Sequence, residues 1–313
     1  MKYFITGGCG FIGSHIVDRL VSKGEVVIYD NLSSGKKAFI EGHLNKKNVT
    51  FIKADLLDID TLRRSIKGCD AVFHLAANPD IRCGVHSPEV DFNQGIVATY
   101  NLLEAMRLNN IKNIVFSSSS TVFGEVSIRP TPEDYGPMLP ISIYGASKLA
   151  CEGFIASYCH MFGFKCWIFR FANIIGKRGT HGILVDFIEK LKKDKTRLQI
   201  MGNGKQRKSY LLVEDCVDGI LYAFNKAKDD VNVFNLASDD DILISKIGEL
   251  VVKKLGLKKV KLEYTGSDRG WQGDVPLMLL DTKKMKKLGW KTRYSSLEAI
   301  DKAIDSLIKE RWD

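Results

Sequence analysis

Residues 2–30 read KYFITGGCGFIGSHIVDRLVSKGEVVIYD, and this stretch decides the fold. A short apolar run at residues 3–6 predicts a buried strand, which breaks into a turn rich in glycine. From Phe11 to Leu20, apolar residues recur every three or four positions, the spacing of an amphipathic helix. A second predicted strand at residues 26–29 leads directly to the acid Asp30.

A strand, a glycine turn, a helix, a strand and an acid, in this order, are typical of a nucleotide-binding βαβ unit. The glycines allow the backbone to turn sharply and to approach a pyrophosphate, while the start of the helix favours an anion. We expect the helix to end at Gly24. We favour a dinucleotide site over a tight turn without a ligand, because the strand–helix context and Asp30 both agree with it.

The composition is that of an ordinary globular protein: 313 residues, 45% hydrophobic and 27% charged. This length allows one large domain or two unequal lobes. No apolar run approaches the roughly 20 residues of a membrane helix, and no leader precedes the first strand, so we expect a cytoplasmic protein without membrane contact. The seven cysteines are scattered without a CxxC pair, so we predict neither a metal site nor a disulfide framework.

The net charge of +9 comes with lysine clusters at 190–195, 253–261 and 283–291. Aromatic residues do not alternate with these lysines, so we interpret the clusters as solvated helix faces rather than as a nucleic-acid surface. The mild basicity also suits a small anionic substrate.

Strand and helix patterns alternate along the first half of the chain. Further strand patterns lie at 49–53, 71–75, 114–116 and 166–171, and two long helix patterns lie near 92–109 and 144–162. This alternation predicts an α/β fold with a doubly wound parallel sheet, that is, a Rossmann fold. We place the nucleotide-binding domain at 1–176, with 210–238 returning to its sheet. Residues 177–313 are expected to form a smaller C-terminal α/β substrate lobe.

Tyr144 and Lys148 are one helical turn apart, so both side chains should lie on one helix face. A lysine cation beside a phenol favours the phenolate, which predicts a pKa for Tyr144 below its usual value of about 10. Such a tyrosine can act as a general base. Pairs with this spacing are common on helix surfaces, but the glycine turn and the hydroxyl cluster at 117–121 favour a catalytic role here.

Three motifs make the chain similar to a known family: TGGCGFIG at 6–13, SSSSTVFG at 117–124 and YGASK at 144–148. They resemble the extended short-chain dehydrogenases, and within these the NAD-dependent epimerase/dehydratase family, most closely its nucleotide-sugar epimerases of the UDP-glucose 4-epimerase type. The resemblance covers nearly the whole chain. It implies NAD as cofactor, a nucleotide-diphosphate sugar as substrate, and a homodimer formed through the helices near 92–109 and 144–162.

The resemblance also implies roles for individual residues. Ser119, Tyr144 and Lys148 would be catalytic, and Asp30 would bind the adenosine ribose hydroxyls and disfavour the 2′-phosphate of NADP. The cofactor contacts would be Gly7, Gly10, Phe11, Ile12, Gly13, Asp30, Asn31, Ser34, Asp55, Leu56, Leu75, Ala76, Ala77, Ser117, Tyr144, Lys148 and Phe171. The substrate contacts would be Ser119, Tyr144, Asn173, His181, Lys208, Arg269 and Asp274.

The implied reaction inverts C4 of the sugar: Tyr144 removes the C4 hydroxyl proton, NAD takes the hydride, the keto-sugar turns over, and the hydride returns to its other face. Ser120 and Thr121 stand where related 4,6-dehydratases carry acids, and Thr121 also replaces the acid of related decarboxylases. A 3,5-epimerase would need a Cys–His pair that we do not find. Without these groups only simple epimerisation keeps its acid–base chemistry.

Several positions depart from the family pattern, and most of them concern the nucleotide. Gly95 replaces an asparagine, Lys208 and Trp271 replace arginines, and Met201 stands where an aromatic residue often stacks on the base. A lysine supplies charge but lacks the fork geometry of arginine. UDP-glucose and UDP-galactose are the leading substrates, and a UDP-N-acetylhexosamine or a GDP-sugar is an open alternative. A non-catalytic NAD sensor or an RNA-binding scaffold is a further alternative, although the intact Ser119, Tyr144 and Lys148 argue against it.

Overall fold

The computed structural model describes residues 1–312; Asp313, the last residue of the predicted substrate lobe, lies outside the described residues. The strands are β1 (Lys2–Thr6), β2 (Glu25–Asp30), β3 (Val49–Lys53), β4 (Ala71–His74), β5 (Asn113–Ser119), β6 (Lys165–Phe171), β7 (Asn173–Ile175), β8 (Arg197–Ile200), β9 (Arg207–Lys208), β10 (Tyr210–Leu212), β11 (Val231–Leu236), β12 (Ile242–Leu243), β13 (Lys261–Tyr264) and β14 (Leu277–Met278). The helices are α1 (Phe11–Leu20), α2 (Ile59–Ser65), α3 (Pro88–Asp91), α4 (Ala98–Leu108), α5 (Ile143–Phe162), α6 (Ile183–Lys193), α7 (Val213–Lys226), α8 (Ile244–Lys254), α9 (Lys283–Leu288) and α10 (Ser296–Arg311).

The central sheet has seven strands in the order β3-β2-β1-β4-β5-β6-β11. Every neighbouring pair in it is parallel. The predicted doubly wound α/β fold is therefore confirmed. The strand order reverses between β1 and β4, so a crevice opens beyond the carboxyl ends of these two strands, where ligands bind in such sheets.

Helices cover both faces of the sheet, which is why its strands are apolar on both sides. On one face, α1 and α7 pack through Ile16, Val17, Leu20, Val217 and Ile220. On the other face, α2, α4 and α5 pack through Leu62, Leu102, Met106 and Ile155. This two-sided packing holds the first turns of α1 and α5 at the same edge of the sheet.

A second apolar core joins α6, α8 and α10 with the parallel pair β8 and β13. Helix α10 begins with the capping box that the sequence predicts: the Ser295 amide donates to Glu298 Oε2 at 2.9 Å, and the Glu298 amide donates to Ser295 Oγ at 3.3 Å. From the segment 210–238, β11 pairs with β6 in the central sheet. Among the described residues, none of the helices combines the length and apolar composition that a bilayer-spanning segment requires.

Several predicted boundaries are wrong for local reasons. Helix α1 ends at Leu20, not at Gly24, because residues 21–23 form a turn in which the Lys23 amide donates to the Leu20 carbonyl oxygen at 2.8 Å. Strand β5 runs to Ser119 instead of ending at Phe116, because the serines continue the pairing with β6.

The predicted helix at 92–109 also needs correction: residues Phe92–Val97 form a π-helix, and α4 starts only at Ala98. The π-helix leaves the Gly95 carbonyl to accept a hydrogen bond from Thr99 Oγ1 at 2.7 Å. Within the predicted loops, residues Lys37–His43 form a 3-10 helix and Pro88–Asp91 form α3.

Candidate active site

In the glycine turn after β1 the backbone passes so close to its neighbours that side chains would not fit. Gly7 has a φ of 68°, and a Cβ on it would lie 2.7 Å from the Ala76 backbone nitrogen. A Cβ on Gly13 would lie 2.0 Å from the Gly7 carbonyl oxygen. Because no side chain caps the start of α1, its first amide groups stay available for an anion. This cradle, formed where β1 and β4 end, fits the pyrophosphate of a dinucleotide.

Asp30 stands next to the glycine turn and is held by it. Its Oδ2 accepts the Cys9 amide at 2.9 Å and its Oδ1 accepts the Leu32 amide at 2.8 Å. Burial raises the pKa of the Asp30 carboxyl above its usual value, opposed by these two hydrogen bonds. The sequence predicted this acid for the ribose, and the structure places it at the crevice edge beside the cradle.

The other predicted adenosine contacts meet beside Asp30. Asn31 donates to Asp55 Oδ2 at 2.7 Å, and Leu56 is buried next to this pair. Ser34 lies exposed in the loop that follows β2. Gln94 reaches Asp55 Oδ2 at 3.3 Å from the π-helix. Sequence reasoning missed Gln94 because only the fold brings the π-helix to the end of β3.

Ser119, Tyr144 and Lys148 come together where β5 ends and α5 begins. The Ser142 hydroxyl caps α5 by accepting the Gly145 amide at 3.1 Å, which fixes the first turn that carries Tyr144. Lys148 is 4% exposed, and its Nζ donates to the Ser117 carbonyl oxygen at 2.7 Å. The same Nζ lies 5.7 Å from the centre of the Tyr144 ring.

The sequence predicts a lowered pKa for Tyr144, and this is wrong when only the surrounding protein acts on the phenol. Burial raises the pKa of Tyr144, and the charge of Asp91 and then Cys151 raise it further, while a hydrogen bond with Ser119 lowers it. Burial also lowers the pKa of Lys148 to about 8. Desolvation therefore outweighs the attraction between the two groups, and their protonation is best treated as that of a pair.

Asp91 is a residue that sequence reasoning missed. It is 1% exposed, its Oδ1 accepts a hydrogen bond from Asn78 at 3.0 Å, and its Oδ2 has no partner among residues 1–312. Burial raises its pKa, and the charge of Lys148 acts in the opposite direction. The sequence signal was weak, because Asp91 falls in a segment that its prolines mark as a loop.

His74 is a core residue, as the sequence suggested. Thr99 donates to the Gly95 carbonyl, so it must accept from His74 Nε2 at 3.0 Å, which leaves Nδ1 to accept from Thr6 Oγ1 at 2.7 Å. Complete burial lowers the pKa of His74 to about 3. The ring is therefore neutral and ties the end of β1 to α4.

Three predicted substrate residues form one cluster. Lys208 Nζ pairs with Asp274 Oδ1, and the Gly270 amide donates to Asp274 Oδ2 at 2.9 Å. Arg269 donates to the Asp274 carbonyl oxygen at 2.8 Å and pairs with Glu125. Both cations of this cluster are thus matched by acids in the protein.

The two remaining predicted substrate residues lie outside this cluster. Asn173 donates to the Ser209 carbonyl oxygen at 3.1 Å, and His181 is exposed in the turn before α6. Neither residue lines the nearby cavity of about 380 Å³, which is formed by Asp80, Arg82, Cys83, Val85, His86, Trp271 and Gln272.

The doubly wound sheet, the glycine cradle and the Ser–Tyr–Lys group define an NAD-dependent enzyme of the extended short-chain dehydrogenase class. The sequence profile of the NAD dependent epimerase/dehydratase family matches residues 3–237, and the chain belongs to this family. Its cofactor is NAD, which the cradle and Asp30 fit. No group of three or more potential metal ligands occurs among the described residues.

Known proteins resemble the chain over nearly its whole length. The UDP-glucose 4-epimerase of Mycolicibacterium smegmatis is 31% identical over 314 residues, covering 97% of this chain and 98% of that protein. A crystal structure of a UDP-galactose 4-epimerase is 40% identical, covers 100% of both chains and has a TM-score of 0.90. A UDP-N-acetylglucosamine 4-epimerase from Methanobrevibacter ruminantium, in complex with UDP-N-acetylmuramic acid, is 30% identical, covers 99% and 98%, and has a TM-score of 0.87.

Proposed function

We propose that this enzyme inverts C4 of a nucleotide-diphosphate hexose, with UDP-glucose and UDP-galactose as the leading substrates. The observation that carries the proposal is the meeting of Ser119, Tyr144 and Lys148 at the end of β5, next to the NAD cradle. Ser120 and Thr121 follow in a short 3-10 helix and bring hydroxyls, not carboxylates, to this position. The site therefore has the groups for reversible oxidation of an alcohol, with hydroxyls at the two positions where related dehydratases carry acids.

In this proposal each residue has a separate task. Tyr144 Oη removes the proton from the C4 hydroxyl and later returns one, and the Ser119 hydroxyl holds the C4 oxygen in place. Lys148, fixed by the Ser117 carbonyl, supplies the positive charge that favours the phenolate. Bound NAD supplies a hydride acceptor that becomes the hydride donor in the return step. Gly7, Gly10, Phe11, Ile12 and Gly13 hold its pyrophosphate, with Leu75, Ala76, Ala77 and Phe171 along its length.

The names of the relatives and a charged cluster in the substrate lobe support a uridine nucleotide. The relatives named above all take uridine nucleotides according to their names. In the substrate lobe, Lys208, Arg269 and Asp274 form a charged cluster, and Arg269 reaches Glu125, which directly follows the hydroxyl segment 117–124. The UDP-N-acetylglucosamine 4-epimerase among them keeps N-acetylated sugars as a second candidate substrate class. The experiment below includes a GDP-sugar, and conversion of this sugar alone would contradict the choice of uridine.

A substrate panel tests the proposal. We expect the purified protein to carry NAD and to convert UDP-glucose into UDP-galactose, scored by NMR of the sugar C4 proton. UDP-N-acetylglucosamine and GDP-mannose serve as parallel substrates under the same conditions. Inversion of the GDP-sugar alone would refute the choice of nucleotide. Bound NAD without inversion of any sugar would favour the sensor alternative.

The proton count of the Tyr144–Lys148 pair predicts the pH profile. The active form, with phenolate and ammonium, holds as many protons as the form in which both groups are neutral, so activity appears when the pair loses its first proton. Burial lowers the pKa of Lys148 to about 8, which sets that loss. We expect kcat/KM to fall about tenfold per pH unit below this value and to level off above it.

The variant Lys148→Met removes one of the two titrating groups, so that the pH profile reports the Tyr144 phenol alone. Without the amine, the pH below which kcat/KM falls should move above 10, because burial raises the pKa of the remaining phenol above its ordinary 10.0. Melting curves over the same pH range exclude loss of fold, and rates are measured with saturating NAD because Lys148 is itself a predicted cofactor contact. If kcat/KM of this variant still falls below the same pH as in the wild type, another group controls the profile.

We further propose a homodimer in the cytoplasm. Large apolar side chains are exposed together on α4 and α5, namely Tyr100, Leu108, Phe154, Met161 and Phe162. Tyr100 and Phe154 pack edge-on across the two helices with their ring centres 6.5 Å apart, which makes the patch continuous. All seven cysteines are free, as expected in a reducing compartment. Sedimentation velocity measures the mass that decides between monomer and dimer.

A further inference from the structure

A buried ion pair lies behind the catalytic residues. Arg170 on β6 and Glu152 on α5 are 4% and 6% exposed. Arg170 Nε donates to Glu152 Oε1 at 3.0 Å and Nη2 donates to Oε2 at 2.7 Å, so the guanidinium grips the carboxylate with both arms. The sequence predicted Glu152 only as a helix residue, because nothing in its spacing indicates a partner in β6.

The pair is the centre of a network that extends to three further parts of the chain. Ser118 on β5 donates to Glu152 Oε1 at 2.5 Å, and Arg170 Nη1 donates to the Glu133 carbonyl oxygen at 2.7 Å. Glu133 Oε1 in turn accepts the Asn235 amide of β11 at 2.8 Å. The contacts among Ser118, Glu152 and Arg170 are buried, so each of these side chains restricts the position of the other two.

The network joins the two elements that carry the catalytic residues. Glu152 is one helical turn beyond Lys148 on α5, and Ser118 lies between Ser117, which accepts from Lys148, and Ser119 on β5. A shift of α5 along β5 would therefore break the contact of Glu152 with Ser118 and its contact with Arg170 at once.

We propose that Glu152 and Arg170 are positioning residues that set the distance between Ser119 on β5 and Tyr144 and Lys148 on α5. The inference rests on the proposed C4 chemistry, because this distance matters only if the sugar oxygen must meet both groups. A buried ion pair is weak evidence for stability, since a well-packed apolar pair of similar volume often stabilises a fold as much or more. In this protein the pair instead fixes the position of α5 relative to β5.

Two variants distinguish a role in positioning the catalytic residues from a role in the stability of the fold. The variant R170K keeps the cation but loses the fork. The triple variant S118A/E152L/R170M replaces the whole polar contact by apolar groups, so no charge remains buried without its partner. In both, we expect NAD content and the KM for the sugar nucleotide to stay within about twofold of wild type while kcat falls about 10- to 100-fold, the cost of a misplaced catalytic group.

The control is R293K, since the half-exposed Arg293 also pairs with two carboxylates, the buried Asp215 and the partly exposed Asp218. Asp218 also pairs with Arg19 in the last turn of α1, the end away from the glycine cradle. We expect its kcat to equal that of wild type. A wild-type kcat in R170K, or in a folded triple variant that holds NAD, would overturn the positioning role. A rise in KM with kcat unchanged would also overturn it, because it would indicate a binding role. A wild-type protein that inverts no sugar refutes the proposed function instead.

Discussion

Tyr144→Phe is expected to lower kcat by about 10²- to 10⁴-fold, the usual contribution of a positioned general base, while NAD stays bound. The substitution removes only the phenol oxygen. The ring still packs under Lys148, whose Nζ keeps its bond to the Ser117 carbonyl oxygen. Binding of the sugar nucleotide should change little, because the residues proposed to contact its diphosphate belong to the predicted substrate lobe and not to α5. We expect single-turnover reduction of bound NAD to be slowed by the same factor as kcat.

Tyr158→Phe is the control on the same helix. Tyr158 Oη donates to Glu104 at 2.6 Å, away from the NAD crevice, so its loss costs a local hydrogen bond without touching the reaction. This variant should therefore keep the wild-type rate of sugar inversion. Near-normal turnover in Tyr144→Phe would refute the assignment of the base, and equal losses in both variants would indicate a general defect of α5.

The cofactor side of the site could be predicted from the sequence because it is local. The glycines, the start of α1 and Asp30 lie within one βαβ unit, where strand and helix periods fix the geometry. The same holds for Tyr144 and Lys148, which share one helix face. Their environment could not be predicted, however: burial of both groups reverses the expected pKa of Tyr144, and burial depends on the complete fold.

Contacts between segments that are distant in the chain could not be predicted from the sequence. Gln94 meets Asp55 only because the π-helix passes the end of β3, and Glu152 meets Arg170 only because α5 packs across β6. In the substrate lobe, the sequence identified Lys208 and Asp274 as separate contacts, and their ion pair became visible only in three dimensions. An ion pair between residues 66 positions apart depends on the folding of the whole substrate lobe, which no spacing rule describes.

Gly13→Ala is expected to remove NAD from the purified protein. A Cβ at this position would lie 2.0 Å from the Gly7 carbonyl oxygen and 2.9 Å from the Gly8 Cα, both backbone atoms that cannot rotate away. The turn must open by more than an ångström, which separates α1 from the pyrophosphate cradle. Strain of this kind costs about 1–3 kcal/mol. If it falls on the bound state, NAD affinity drops about 10- to 100-fold, since each 1.4 kcal/mol is a factor of ten.

Gly42→Ala is the matched control for that experiment. Gly42 lies in the 3-10 helix Lys37–His43, and a Cβ there would meet nothing within 4 Å. The same methyl group should then stabilise the fold by about 0.4–1 kcal/mol through the unfolded chain and leave NAD in place. NAD released by denaturation and measured enzymatically, together with titration of the apoprotein, compares the two variants directly. Full NAD content in Gly13→Ala would mean that the pyrophosphate does not depend on the close contact of Gly13 with Gly7, and the cradle would have to be assigned elsewhere.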